Sequence, residues 1–482
     1  MSIYSALNSA MSGLTAASRS SQIVSENLAN ALTPGYTRRV LDLNSPGVGV
    51  PGVQVGHVQR LNDPVVISNR RVAEADFGAA KIQADFFERM SSLVGTVDDE
   101  MSLAAQLSNF ESSLIEVVSR PDSQPRLNDL SVKADSLAES ISRAAEGLRD
   151  LRINADSAIN SQVDTVNQAL KEIEKLNARI MVVEAGGMDA VSMHDQRDQL
   201  IDQVNEIIPV NVVRRDNGQV TLYSAGGVML LDGKASELSF SPSRDIMPHM
   251  TLGNGMLSGL EVNGRVIDTG PEGPLRGGTL TAQFEIRDVT AVEAQEDLDA
   301  MARDLIERFQ DPALDGTIGV TDAGIFTDDG GFFDAANTVG IANRIELNDL
   351  VSLTGSAETW RFRDGLYAAA PGDPGDSSLL QSYTDALNTT RTVSSVGLGT
   401  SDLTAGTLSA NLLSRFAQDN ETASRASTFA ATSFNELSQA ELALGVDTDA
   451  ELQNLMLVEK FYAANARVIS VVDELMETLL RI

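Results

Sequence analysis

Two stretches at opposite ends of the chain share one hydrophobic rhythm. Residues 3–28 place Ile3, Ala10, Ala17 and Val24 in one row and Leu7, Leu14, Ser21 and Leu28 in another, the spacing of a coiled-coil seam with small residues on one side. The pattern predicts a helix about 40 Å long. It should stop at Thr33-Pro34-Gly35, because proline cannot continue a helix and drives the preceding residue out of the helical region. Near the C-terminus, Leu455, Tyr462, Ile469 and Met476 form one row and Val458, Asn465, Val472 and Leu479 the other. The single polar Asn465 is placed to set register. A lone helix with an uncovered apolar stripe is marginal in water, so this helix is expected to pair with the N-terminal one, and next with another copy of the chain.

Between the ends the texture changes. A long helical region is predicted over 99–203. Leu127, Ala134, Ile141, Leu148 and Ala155 keep a heptad with Leu130, Leu137, Ala144 and Leu151, and the pattern resumes four residues out of step at Ile159, Val166, Ile173 and Ile180. That step is a stutter, which locally unwinds a supercoil. Gly186-Gly187 interrupts the region, and a helix from Met193 to Ile208 ends at Pro209. Strand alternation follows over 210–290, punctuated by Asn217-Gly218, Asp232-Gly233 and Asn263-Gly264, which are hairpin signals. A helix is predicted at about 288–310, β or loop texture over 311–376, and helix again over 377–397 and from 402 onward.

The predicted fold class is α+β: a long coiled-coil stalk of paired N- and C-terminal segments, with β-rich domains inserted in the middle. The expected domains are 1–55 with 425–482 as the terminal coiled coil, 56–209 with 277–310 and 377–424 as a helical bundle, and 210–276 with 311–376 as the β-rich outer part.

Composition narrows the chemistry. A net charge of −32 repels phosphate backbones, so nucleic acid is not an expected partner. No cysteine is present, which removes disulfides, thiolate nucleophiles and cysteine-ligated zinc. No apolar run is long enough to span a membrane, and the MSIYSALNSAMSGL start lacks the basic and apolar regions of a secretory signal. His57, His194 and His249 fall in no metal-binding spacing, and His194 reads as a surface or capping residue. GGVMLLDGK at 226–234 misses the spacing of a phosphate loop and reads as a hairpin turn. Asp322, Asp328, Asp329 and Asp334 lack calcium-loop spacing and read as turn formers, a weak cation site at 321–334 being the other reading. No catalytic, cofactor-binding or metal residue is assigned, and the chain does not read as an enzyme.

The stretch SENLANALTPGYTRR carries Asn27, Asn30, Thr33, Gly35, Tyr36, Thr37 and Arg38, and it resembles the N-terminal motif of the bacterial flagellar axial proteins. Physically it reads as a helix stop, with Asn27 and Asn30 in the last turn and the Tyr36 ring packed back on the helix. The C-terminal pattern is similar to the same family through Gly445, Val446, Glu451, Leu455, Tyr462, Ala464, Asn465, Ala466, Val468 and Ile469, with Glu459-Lys460 where the family has Gln-Gln. Val472, Met476 and Leu479 continue its seam. The helices after residue 99, the DQRDQLIDQVNEIIPVNV stretch and the Gly277–Phe309 return helix resemble the hook-associated, junction-forming members. Hook and distal-rod subunits are the alternative. The resemblance implies a structural subunit between hook and filament, exported by the flagellar type III system and located outside the cell. Its implied partners are other copies of itself, hook protein, the adjacent hook-associated junction protein and an export chaperone on the C-terminal helix. No cofactor is implied.

Overall fold

The structure, a computed structural model, describes residues 3–33, 35–45, 47, 50–96 and 98–481. Helix α1 (Ile3–Ala29) leads to a hairpin of β1 (Arg39–Asn44) and β2 (Gln54–Arg60), and α2 (Pro64–Val94) follows. Asp63 starts α2: its carboxylate accepts the Val65 and Val66 N–H groups, and Pro64 occupies the first turn, where its missing N–H costs nothing. Then come α3 (Leu103–Ser119), α4 (Gln124–Ala185) and α5 (Val191–Ile207). Helix α4 has 62 residues and is about 90 Å long.

A four-stranded antiparallel sheet comprises β3 (Val210–Arg214), β4 (Val220–Ser224), β5 (Met229–Asp232) and β6 (Lys234–Ala235), in that order. A three-stranded one comprises β7 (Leu238–Ser239), β8 (Leu260–Val262) and β9 (Arg265–Ile267). Asn263 and Gly264 close the β8–β9 hairpin with φ of 51° and 73°, the positive values that make Asn-Gly the preferred two-residue turn. The chain then forms α6 (Gly278–Glu285), a π segment Ile286–Thr290 and α7 (Ala291–Phe309). Two-stranded β10 (Phe326–Asp328) and β11 (Ile345–Leu347) precede α8 (Arg361–Asp364), α9 (Ser378–Asn388) and the hairpin β12 (Arg391–Ser395) with β13 (Gly399–Leu403). Helices α10 (Ala405–Ala443) and α11 (Thr448–Leu480) complete the chain.

Two main cores build the body. The first joins the end of α2, α3, α4 from Leu127 to Ala155, α7, α9, the start of α10 and apolar residues of 318–366. The second joins α4 from Ile159 to Ile173 with α5, α6 and strands β3–β9. At about 1.5–3 kcal/mol per fully buried large apolar side chain, these cores hold the body. None of the described residues of α1 or α11 belongs to them.

The predicted stutter marks the place where α4 passes from one core to the other. There Arg152 and Asp156 turn inward on a layer of buried charge. Arg287, on the π segment, is fully buried, donates to Asp156 at 2.7 Å and to Asp288 at 2.8 Å, and lies against the Phe240 and Phe284 rings. Arg152 donates to the backbone carbonyls of Arg287 and Met250. Burial pulls Arg287 down, but Asp288 and Asp156 outweigh it and hold its pKa above the usual guanidinium value.

Several expectations need correction. Helix α1 ends at Ala29 and a turn carries the chain through Thr33; Pro34 lies outside the described residues. Helix over 377–397 gives way at Asn388 to the β12–β13 hairpin, whose Thr- and Ser-rich strands carry little helical periodicity. The return helix begins at Gly278, ten residues before the 288 read from the pattern and where the resemblance over Gly277–Phe309 implies it; the π segment joins its two halves. The two β-textured stretches grouped together from sequence sit on different cores: 210–276 covers the second, while 311–376 seals the first.

Asp156→Ala strands Arg287 in the interior with Asp288 as its remaining carboxylate. It is expected to lower stability by about 3 kcal/mol, read from the urea midpoint, and Asp156→Leu with Arg287→Met should recover most of that loss.

Candidate assembly interface

Helices α1 and α11 lie side by side and antiparallel, with Gly13 over Asn465 and the α1 exit beside Glu451. On α1, Ala10, Ala17 and Val24 are buried and Leu7, Leu14, Ser21 and Leu28 half-buried. On α11, Val472 is buried, and Leu455, Val458, Asn465 and Ile469 are half-buried. Of the sequence-selected seam residues, Tyr462, Met476 and Leu479 are exposed instead. Asn465 donates to the Phe461 carbonyl of its own helix at 2.9 Å. A side chain at Gly13 would sit 2.7 Å from its amide nitrogen, so the missing Cβ is what admits Asn465 to the seam. Glu459 and Lys460, which depart from the family pattern, are both exposed.

This pairing covers only one side of α11. Leu457, Phe461, Ala464, Val468, Val471 and Leu475 recur every three or four residues along another side, and all are exposed, Phe461 by 61%. They form a second heptad seam with nothing on it among the described residues. Contiguous exposed apolar surface of this kind marks an interaction site.

The N-terminal motif forms the exit from α1. Asn27 is 1% exposed and its carboxamide works like a strand partner: Nδ2 donates to the Arg39 carbonyl and Oδ1 accepts the Arg39 N–H, both at 2.9 Å. The Tyr36 hydroxyl also donates to Asn27 Oδ1 at 2.9 Å, and Arg39 lies over the Tyr36 ring. Burial, ahead of neighbouring charges, pushes the Tyr36 hydroxyl up to about 12, so it remains a donor. Asn30 donates to the Glu26 carbonyl and accepts from Thr33. Gly35 has φ +74°, and an added Cβ would meet Gln199 at 2.5 Å. Thr37 accepts from Arg60, and Arg38 pairs with buried Glu451 at 2.7 Å. The motif is therefore a junction, not only a helix stop.

Sequence reasoning missed the acceptor face of α5. Asp195, Asp198 and Asp202, at helical spacings of three and four, line one face. Asp195 meets Arg39 and Arg60, Asp198 meets Arg60 at 2.6 Å, and Asp202 meets Arg70 and Arg71. Arg70 also pairs with Glu74 and with Glu441 of α10. The signal was present in DQRDQLID, but its arginine partners lie more than a hundred residues away. His194 is not a surface residue: its side chain is 17% exposed, with Nε2 2.7 Å from Glu184 and Nδ1 facing Arg197. Since Arg197 is a donor, Nδ1 accepts and Nε2 carries the proton.

A cleft of about 610 Å³ opens beside this face; in its lining Arg60 and Arg71 pair with α5 and His194 with Glu184, while Arg197 is held by the Asn177 carboxamide and the Gly218 carbonyl. In the loop 321–334, Asp328 pairs with Arg344, while Asp322 and Asp334 accept backbone N–H groups. Among the described residues, no three His, Asp or Glu side chains are grouped to hold a metal, and no helix is long and apolar enough to cross a membrane.

Residues 87–321 match the family model of the flagellar hook-associated protein FlgK helical domain. Residues 7–37 match that of the flagella basal body rod protein, and 440–482 that of the flagellar basal body rod FlgEFG protein C-terminal. The chain is 28% identical to flagellar hook-associated protein 1 of Escherichia coli (strain K12) and 30% identical to that of Salmonella typhimurium, each time over 59% of this chain and 53% of the relative. It thus spans about half the length of those two. Against flagellar hook-associated protein 1 of Bacillus subtilis (strain 168) it is 24% identical over 99% of this chain and 98% of the relative. The flagellar hook junction protein FlgK from Burkholderia pseudomallei overlays 54% of this chain and 46% of its own, with a TM-score of 0.42 and 18% identity.

Gly13→Val pushes Asn465 out of the seam. It is expected to weaken the α1–α11 pair by about 1–3 kcal/mol, measured by hydrogen exchange in both helices, with Asn465→Ala in the same chain restoring most protection. His194 offers a pH test. Burial, opposed by the Glu184 hydrogen bond, holds its pKa below 6.5. Its contribution to stability is complete above the unfolded pKa and lost as pH falls through the folded one. His194→Gln should therefore narrow the drop in urea midpoint between pH 7 and pH 5.

Proposed function

We propose that this chain, which belongs to the family of flagellar hook-associated protein 1, is a structural subunit of the bacterial flagellum at the junction between hook and filament. The family is a structural one and not a known enzyme family, and the reading assigns the chain no catalytic role. The observation that carries it is the second seam of α11, an apolar heptad face that the chain's own α1 leaves open. A surface of that kind calls for another helix, and copies of the same chain supply helices in the required number. Stacked head to tail, a heterologous contact, they bury the stripe at about 25 cal/mol per Å² of apolar surface.

In this reading the stalks form the inner layer of a short tubular ring, with the body facing outward. The ring contacts hook protein on one side and the next hook-associated junction protein on the other. Before assembly an export chaperone covers the open face of α11, and the chain leaves the cell through the flagellar type III apparatus, without insertion into a membrane. A hook or distal-rod subunit is the second reading, favoured by the rod-protein matches at both ends. It leaves the hook-associated helical domain over 87–321 without a role.

Electron microscopy of a deletion strain, with flagellin assayed in the medium, tests the proposal. Intact hooks without filaments, with flagellin shed, are expected. Complementation with Leu475→Glu should not restore filaments, whereas the wild-type gene should. Truncated hooks would assign the chain to hook or rod, and normal filaments would remove the structural reading.

A further inference from the structure

We infer that the stalk and the body meet at an ion-paired joint centred on Asp195, and that this joint sets the angle between them. The packing leaves little else to do so. No described residue of α1 or α11 enters the body's cores. Apart from α11, helix α1 packs on the β1–β2 hairpin, and a groove of about 400 Å³ lies between Ile23 and Glu26 on one side and Met188, before α5, and Ser192, in its first turn, on the other. Helix α10 belongs to the body, packed along α2 with Phe434 stacked on Phe77 and Glu441 paired with Arg70, and only residues 444–447 connect it to α11.

The hairpin is the mechanical link, and its register explains the need for Asp195. Arg39 and Arg60 are direct cross-strand partners, and like charges placed opposite each other on a ladder repel. Asp195 stands between them. Its Oδ2 accepts from Arg39 at 3.2 Å, and its Oδ1 lies 2.9 Å from Arg60 Nε, close enough for the charges to pair though out of line for a hydrogen bond. Arg60 also reaches Asp198, and Arg39 reaches Glu26 of α1. Asp195 thus bridges both strands of the hairpin to α5, beside Asp198 on Arg60, Ser192 on Arg39 and Asp189 on the Val58 N–H, while the hairpin carries α1. Directional but non-apolar contacts of this kind are weakened by salt, unlike the cores on either side. The joint is a property of the single chain and does not depend on the junction reading.

Pulsed electron paramagnetic resonance on the full chain measures the angle directly, since the sequence holds no cysteine to compete with introduced labels. Labels at Thr15→Cys and Lys171→Cys report stalk against body; labels at Thr15→Cys and Glu474→Cys report the stalk alone. In Asp195→Asn, and in the unsubstituted background at 1 M NaCl where the screening length falls to about 3 Å, the stalk–body distribution is expected to broaden about twofold while the stalk–stalk distribution holds. An unchanged stalk–body distribution in Asp195→Asn would overturn the joint. So would equal broadening of both pairs, which would make Asp195 a folding contact of the stalk.

Discussion

A helix of 62 residues cannot bury itself, and most of this body is arranged around that constraint on α4. Its first half presents Leu127 to Ala155 to one set of elements and its second half Ile159 to Ile173 to another. The four-residue step in the heptad is what rotates the apolar face from one set of covers to the next. At the crossover the helix places Arg152 and Asp156 inside, and the π segment supplies Arg287 to meet them. Hydrophobic residues there would merge the two cores. Charge that must be matched fixes which element sits where, a role in specificity more than in net stability.

The stalk is built on the opposite plan. Between Ile3 and Ala29 the only charged residues are Arg19 and Glu26, and the α1–α11 seam mixes Ala, Ser, Gly and Asn with Val, Leu and Ile. Small side chains allow close approach but bury little area, so the stalk is weakly held by its own chain. The charge of −32 is thereby carried mainly on the body, where it keeps free copies apart in solution. The open face of α11 is nearly neutral. Copies that repel at a distance can still close over a short-range apolar contact, because salt screens the first within about 8 Å and leaves the second intact.

How much of this was legible in the sequence follows from the range of each interaction. Both terminal helices, the α4 stutter, the Gly186-Gly187 break and the Asn263-Gly264 turn are set by residues within a few positions of one another, and periodicity reveals them. The inner rows of α1 were placed correctly because Ala10, Ala17 and Val24 face their partner at a strict heptad. Tyr462, Met476 and Leu479 share the spacing of the covered rows yet are exposed beside α1, because α11 carries apolar residues on two faces and spacing alone does not say which face α1 covers. The segment 311–376 reads from sequence as part of the outer β region, with 210–276, because it is rich in Gly and Asp. Only its sparse apolar residues, among them Phe326, Ile341 and Phe362, betray that it seals a helical core.

The N-terminal motif shows what long-range pairing adds to a local reading. From sequence it stops a helix. In the fold it also divides two arginines between two bodies. Asn27 hydrogen-bonds both backbone groups of Arg39 and so begins the hairpin ladder at that residue, which continues back through the Arg38 carbonyl to Leu61. Successive residues of an extended strand point to opposite faces. Arg38 therefore turns to Glu451 on α11, and Arg39 turns to Asp195 on α5. A shift of one residue would bring Thr37 to Glu451 or Val40 to Asp195 and so break one of the two pairs. The carboxamide of Asn27 is thus what places the stalk and the body on the correct sides of one strand.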